Sequence, residues 1–198
     1  MQSRRKFLKD QFFVIDWETY YDKDCTIKGT TAWEYCKHPL FDPYLVGLCW
    51  GDGEDESWAG DPLEFDWGRL EGRYAIAHNR GFDYPVTLRA IEMGRMPDIN
   101  IKGWYDTSAM SCYFQLGRSL QDAMRGVFGE DMSKDVRDYM KGKTWENIVM
   151  EGRADEVIAY AKTDAVLEWR LFEQLYPYIP QKELDLEDLT IRMGERGL

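Results

Sequence analysis

Short apolar runs alternate along this chain with longer stretches whose apolar positions recur every three or four residues. FFVID from Phe12, YLVGLCWG from Tyr44 and YAIAHN from Tyr74 predict buried strands. ESWAG and INIKGWYD predict two more. In DPLEFDWGRLEG, Asp61 as N-cap and Pro62 at the first helical position predict a short helix. Phe82, Val86, Ile91 and Met93 fit a helix closed by Gly94, with Pro85 tolerable only in its first turn. Asp106 opens another helix, and further ones are predicted at about 119–128 and 144–151. A long helix follows from about Ala154 to Tyr176, with Val157, Ala161, Val166 and Leu171 as its apolar stripe. Helices between strands predict an α/β domain whose sheet is covered on both faces. In such domains functional groups collect at strand ends and the adjoining loops.

The length of 198 residues suits one such domain with a short extension, and 44% apolar content excludes a disordered chain. MQSRRKFLKDQFF has a basic start but no apolar region or cleavage site after it, and no early run reaches the roughly 18 residues that span a bilayer. A soluble, cytoplasmic protein without a membrane partner is expected. Cys25, Cys36, Cys49 and Cys112 stand far apart, and His38 and His78 do not complete a zinc set, so reduced and mostly buried thiols are expected. A net charge of −11 argues against coating duplex nucleic acid, which depends on many Lys and Arg contacts to phosphate. Any polyanion must be gripped locally. Basic density occurs in SRRK at residues 3–6 and at Lys134, Arg137, Lys141 and Lys143, where a solvated surface explains it equally well.

Three acidic pieces change the picture. In IDWETYYD, Asp16 and Glu18 project from one face of a strand while Trp17 points to the other. Two like charges at one strand end either raise a pKa or attract a cation, although 36 acidic residues make chance D-x-E pairs common. In AHNRGFDYP, Asn79 ends a strand and Asp83 begins a helix, where turn closure and a favourable helix dipole account for each singly. In AYAKTDAVLEW, Tyr160 and Asp164 share a helix face beside the apolar stripe, where an unpartnered carboxylate is costly.

Taken in order, D-x-E, N-x-x-F-D and Y-x-x-x-D resemble the motifs of the DEDD exonuclease superfamily, and the Tyr places the likeness in its Y-type branch. The resemblance runs from about residue 12 to about 176. It implies a ribonuclease H-like three-layer fold with a central mixed five-stranded sheet flanked by helices. It also implies two divalent ions held by Asp16, Glu18, Asp83 and Asp164, for 3′-to-5′ hydrolysis. Hard oxygen ligands favour Mg2+ or Mn2+. By resemblance Tyr160 orients the attacking water, while Asn79 and Thr19 face the terminal nucleotide. Tyr20 and Tyr21 are aromatic candidates for stacking on frayed bases.

The opening segment is similar to the exonuclease domain of bacteriophage-type family A DNA polymerases, and LEDLTIRMGERGL resembles the helix leading into their polymerase domain. That implies an exonuclease domain over 1–178, an extension over 179–198, a single-stranded DNA 3′ end as partner, and an attached polymerase domain. A phage-infected or bacterial cell would be the setting. Two alternatives stay open: an RNA-directed exonuclease using the same chemistry, and a non-catalytic module that positions DNA. The presence of all four carboxylates disfavours the second.

Overall fold

The computed structural model describes residues 7–132 and 135–195. The basic segment at 3–6 and Lys134 lie outside them. The elements, in chain order, are β1 (Phe12–Glu18), α1 (Ala32–Tyr35), β2 (Leu45–Cys49), β3 (Ser57–Gly60), β4 (Tyr74–Ala77), α2 (Arg80–Glu92) and β5 (Trp104–Asp106). There follow α3 (Thr107–Tyr113), α4 (Leu120–Phe128), α5 (Asp135–Met140), α6 (Trp145–Met150), α7 (Ala154–Leu175) and α8 (Gln181–Glu195).

The five strands form one sheet in the order β3-β2-β1-β4-β5. β1 runs antiparallel to β2, which runs antiparallel to β3, while β4 pairs parallel with both β1 and β5. This mixed five-stranded sheet between helical layers is the ribonuclease H-like arrangement. β1 sits at its centre because its side chains are apolar on both faces for four residues. Phe13, Ile15 and Trp17 enter one core with Val86 and Ala90 of α2. Phe12 and Val14 enter another with Trp169, Leu171 and Phe172 of α7. The alternation therefore aims Asp16 and Glu18 toward the α7 side. β1 pairs with β4 from Phe12 to Val14, so both carboxylates lie beyond the last of those pairs, at the carboxyl end of the strand.

α7 packs across the sheet, and one residue sets how closely. Gly47 of β2 is the register partner of Asp16. A Cβ there would stand 2.4 Å from the backbone oxygen of Ala161 and 3.0 Å from its carbonyl carbon. The missing side chain lets α7 approach β2 backbone to backbone, which brings Tyr160 and Asp164 over the end of β1.

Some elements differ from the pattern-based expectation. Residues 62–70 form two 3-10 turns, Pro62–Glu64 and Trp67–Leu70, in place of a short α-helix. Phe65 and Trp67 are two apart and both bury in one core, which a single α-helix does not allow, and the Trp67 indole N–H donates to the Pro62 carbonyl at 2.8 Å. Asp61 does cap the first turn, accepting from the Leu63 N–H. α2 begins two residues before Phe82, so Pro85 lies past its first turn and removes the donor that would bond the Gly81 carbonyl. β5 retains only the last three residues of INIKGWYD. Val166 is half-buried, whereas the rest of the expected α7 stripe is buried. Cys25, Cys36 and Cys49 are buried free thiols and Cys112 is exposed. No helix among the described residues is long and apolar enough to cross a membrane.

Candidate active site

A cleft of about 540 Å³ opens where the carboxyl ends of β1 and β4 meet α2 and α7. Asp16, Glu18, Asp83, Tyr160 and Asp164, drawn from three segments distant in sequence, all line it. Thr19, Tyr21 and Asn79 line it as well. Tyr20 is not among its lining residues; its hydroxyl donates to Asp22 at 2.8 Å and its ring packs beside the apolar cores.

Local chemistry fixes each group. Asn79 adopts the left-handed conformation with φ of 91°, so the chain turns sharply from β4 into α2. Asp106 stabilises that turn by accepting from the Asn79 N–H at 3.3 Å and the Arg80 N–H at 3.0 Å while also capping α3 through Ser108 and Ala109. One helical turn later Asp83 is 3% exposed, and its Oδ1 accepts the Trp17 N–H at 3.2 Å. That bond joins the α2 carboxylate to the backbone between Asp16 and Glu18, so Asp83 does more than cap a helix. Tyr160 and Asp164 lie four residues apart on α7, so the phenol and the carboxylate share one face of the helix and act on each other. Thr19 is buried with its hydroxyl 2.7 Å from that of Tyr35. The Tyr21 hydroxyl donates to the Arg137 carbonyl, which ties α5 to the end of β1.

The electrostatics are lopsided. Burial, then the neighbouring Asp164, pushes Asp16 up to about 7, with Arg137 opposing. Burial first, then Asp16 and Asp164, holds Glu18 well above the usual carboxylate range. Burial and Asp16 raise Asp83 despite the Trp17 N–H. Burial lifts Asp164 to about 6 against the Tyr160 hydroxyl and Arg137. Burial and Asp164 raise the Tyr160 phenol, so it stays protonated at neutral pH. Among the described residues Arg137, exposed on α5, is the one cation acting on Asp16, Glu18 and Asp164 alike. His78 lines the cleft with both ring nitrogens engaged, Nδ1 with the Thr107 hydroxyl and Nε2 with the Arg118 carbonyl, each at 2.9 Å.

Comparison with known proteins gives little beyond this geometry. No family model matches the chain, and no curated protein matches it. Among solved structures it is similar to Brucella melitensis NrnC with bound Mg2+, at 13% identity and a TM-score of 0.42, over 86% of this chain and 89% of that one. So distant a likeness assigns no activity.

The donor set suits a hard divalent cation. It consists of carboxylate oxygens crowded enough to raise one another's pKa, with little positive charge to offset them. As the side chains stand, no three His, Cys, Asp or Glu groups among the described residues form a ready ligand cage. Sequence reasoning missed one acidic member. Glu168 lines the cleft one turn beyond Asp164 and is 2% exposed. Extending the Y-x-x-x-D spacing by four residues would have found it. It also passed over Phe82 and Tyr35 on the wall, and Arg118 on the exposed rim.

Proposed function

We propose that this chain is a metal-dependent 3′-to-5′ exonuclease acting on single-stranded or frayed nucleic-acid ends. The observation that carries this reading is the meeting of Asp16, Glu18, Asp83, Asp164 and Tyr160 in one cleft. When bound, two Mg2+ or Mn2+ ions would supply a nucleophile at neutral pH and positive charge against the developing phosphoryl charge. Asp16, Glu18, Asp83 and Asp164 would hold them, with Asp16 central because Asp164, Glu18 and Asp83 all interact with it electrostatically.

The remaining steps belong to the chain's own groups. Tyr160 is a protonated phenol beside Asp164 and therefore serves as a hydrogen-bonding orienter of the attacking water rather than as a base. His78 has both nitrogens occupied and takes no part in proton transfer. Arg118 and Arg137 stand on the exposed rim, where they can meet backbone phosphates despite the net charge of −11. Asn79, Thr19 and Tyr21 are the candidates for contact with the terminal nucleotide. Paired termini must open before their terminal phosphate reaches carboxylates set at a strand end, and an already unpaired end avoids that cost.

DNA is the substrate implied by the resemblance. In that reading residues 1–178 proofread for a polymerase domain joined through 179–198, inside a bacterial or phage-infected cell. The cleft acts on a phosphodiester rather than on a sugar, so RNA has equal standing. The two are separated by giving the protein 5′-labelled DNA and RNA of one sequence with Mg2+ or Mn2+. Ladders that keep the 5′ label are expected, formed faster on single strands than on matched duplex and with a shallow salt dependence. Faster cleavage of DNA supports proofreading, whereas clear preference for RNA replaces it with an RNA-directed exonuclease. Absence of shortening on both strands, or release from the 5′ end, contradicts the proposal.

A further inference from the structure

Glu168 has a position that the four expected carboxylates do not explain. It lies on α7 four residues after Asp164 and eight after Tyr160, so the three share one face of the helix and line the same cleft. It is more deeply placed than Asp164, 2% against 9% exposed, and its Oε2 has no hydrogen-bond partner among the described residues. The charged groups that act on it most strongly among the described residues are Asp16, Asp83, Asp164 and Asp106, all acidic. A buried carboxylate without a donor or a cation is costly, and Gln, Met or Leu would fill the same helix position at less expense. No group among the described residues satisfies that oxygen, and the cleft is the route by which a water or an ion reaches it.

We propose that Glu168 is a fifth carboxylate of the ion-binding set, a positioning residue at the closed end of the cleft that holds the water around an ion kept by Asp16, Asp83 and Asp164. This rests on the reading of the cleft as a divalent-ion site. Groups that bond to an ion's ligands or waters change its affinity by about 10- to 100-fold when removed. Glu168 therefore governs how tightly the site takes its ion, apart from any contact with nucleic acid.

The test is calorimetric titration of Mn2+ into chelator-treated, dialysed protein, with thermal melts on the same samples. Glu168→Gln is expected to melt above wild type without metal, because a buried carboxyl among other acids is gone. It is expected to bind Mn2+ about 10-fold more weakly and to gain less stability from it. Asp83→Asn is the control for the site itself. Wild-type affinity in Glu168→Gln beside weakened binding in Asp83→Asn overturns the role of Glu168 and leaves the site standing. Undiminished binding in both overturns the two together. If the Gln protein does not fold, Glu168→Asp, which withdraws the charge by one methylene, must show the weakened binding, and unchanged affinity there overturns the proposal equally.

Discussion

Asp16→Asn or Asp83→Asn protein is expected to stay folded and to lose more than about 1,000-fold in exonuclease rate, about 4 kcal/mol of transition-state stabilisation. Asn is the informative replacement. At position 83 it keeps a side-chain oxygen for the Trp17 N–H, so the joint between α2 and β1 survives while the charge is lost. Tyr160→Phe should cost only about 10-fold, since it removes an orienting hydroxyl and leaves the carboxylates in place. The same Asp16 change should raise stability in chelator. Asp16 is raised to about 7 in the folded protein, so between pH 4 and 7 the folded state binds more protons than the unfolded one. Stability of the chelated wild type should therefore fall as pH rises through that window. Asp16→Asn removes part of the fall and should melt above wild type at pH 8, with the gap closing near pH 4. Circular-dichroism melts at the two pH values, beside rate assays on the same preparations, check both signs. Retention of near-wild-type rate in folded Asp16→Asn protein would show that the cleft is not the catalytic site.

The second large effect is expected at a position without a functional group. Gly47→Ala places a Cβ 2.4 Å from the Ala161 carbonyl oxygen, and both clashing atoms of Ala161 belong to the backbone of α7. Backbone cannot rotate aside as a side chain can, so β2 and α7 must separate. Overpacking of this kind should destabilise by about 3 kcal/mol. Because Gly47 pairs with Asp16, the separation also shifts Asp164 and Tyr160 relative to β1, and the fraction that remains folded should hydrolyse more slowly. Urea unfolding and rates corrected for folded fraction measure the two losses. A Gly47→Ala protein that unfolds at the wild-type midpoint would contradict the close approach of helix and sheet.

What could be read in the sequence was whatever depended on local pattern. β1, β2, β4 and the long α7 announce themselves because each is an uninterrupted apolar run or a sustained stripe, and Asp106 and Asp61 are recognisable caps. Asp16 and Glu18 stand out because charge at the end of a buried strand is unusual. Residues governed by tertiary contact were harder to see. α5 carries Val136, Tyr139 and Met140 as apolar anchors among charges, in too short a stretch to show a stripe, yet the Tyr21–Arg137 bond places it at the cleft. Tyr20 and Tyr21 are indistinguishable by composition, and only the turn after β1 decides that Tyr21 enters the cleft while Tyr20 bonds Asp22. Gly47 looks like a weak point in a strand until α7 is set against it. Glu168 continues the Y-x-x-x-D spacing by one turn, but it resembles any other acid on a charged helix until burial without a partner sets it apart.

The most direct measurement is anomalous diffraction from crystals grown with Mn2+ and a nucleoside 5′-monophosphate, the product of the proposed reaction. Two Mn2+ peaks about 4 Å apart are expected in the cleft, ringed by Asp16, Glu18, Asp83 and Asp164, with the nucleotide phosphate beside them and the Tyr160 hydroxyl facing that phosphate. Saturating Mn2+ with no anomalous peak among these carboxylates, or peaks confined to the acidic surface elsewhere, would contradict the assignment of this cleft as the catalytic centre.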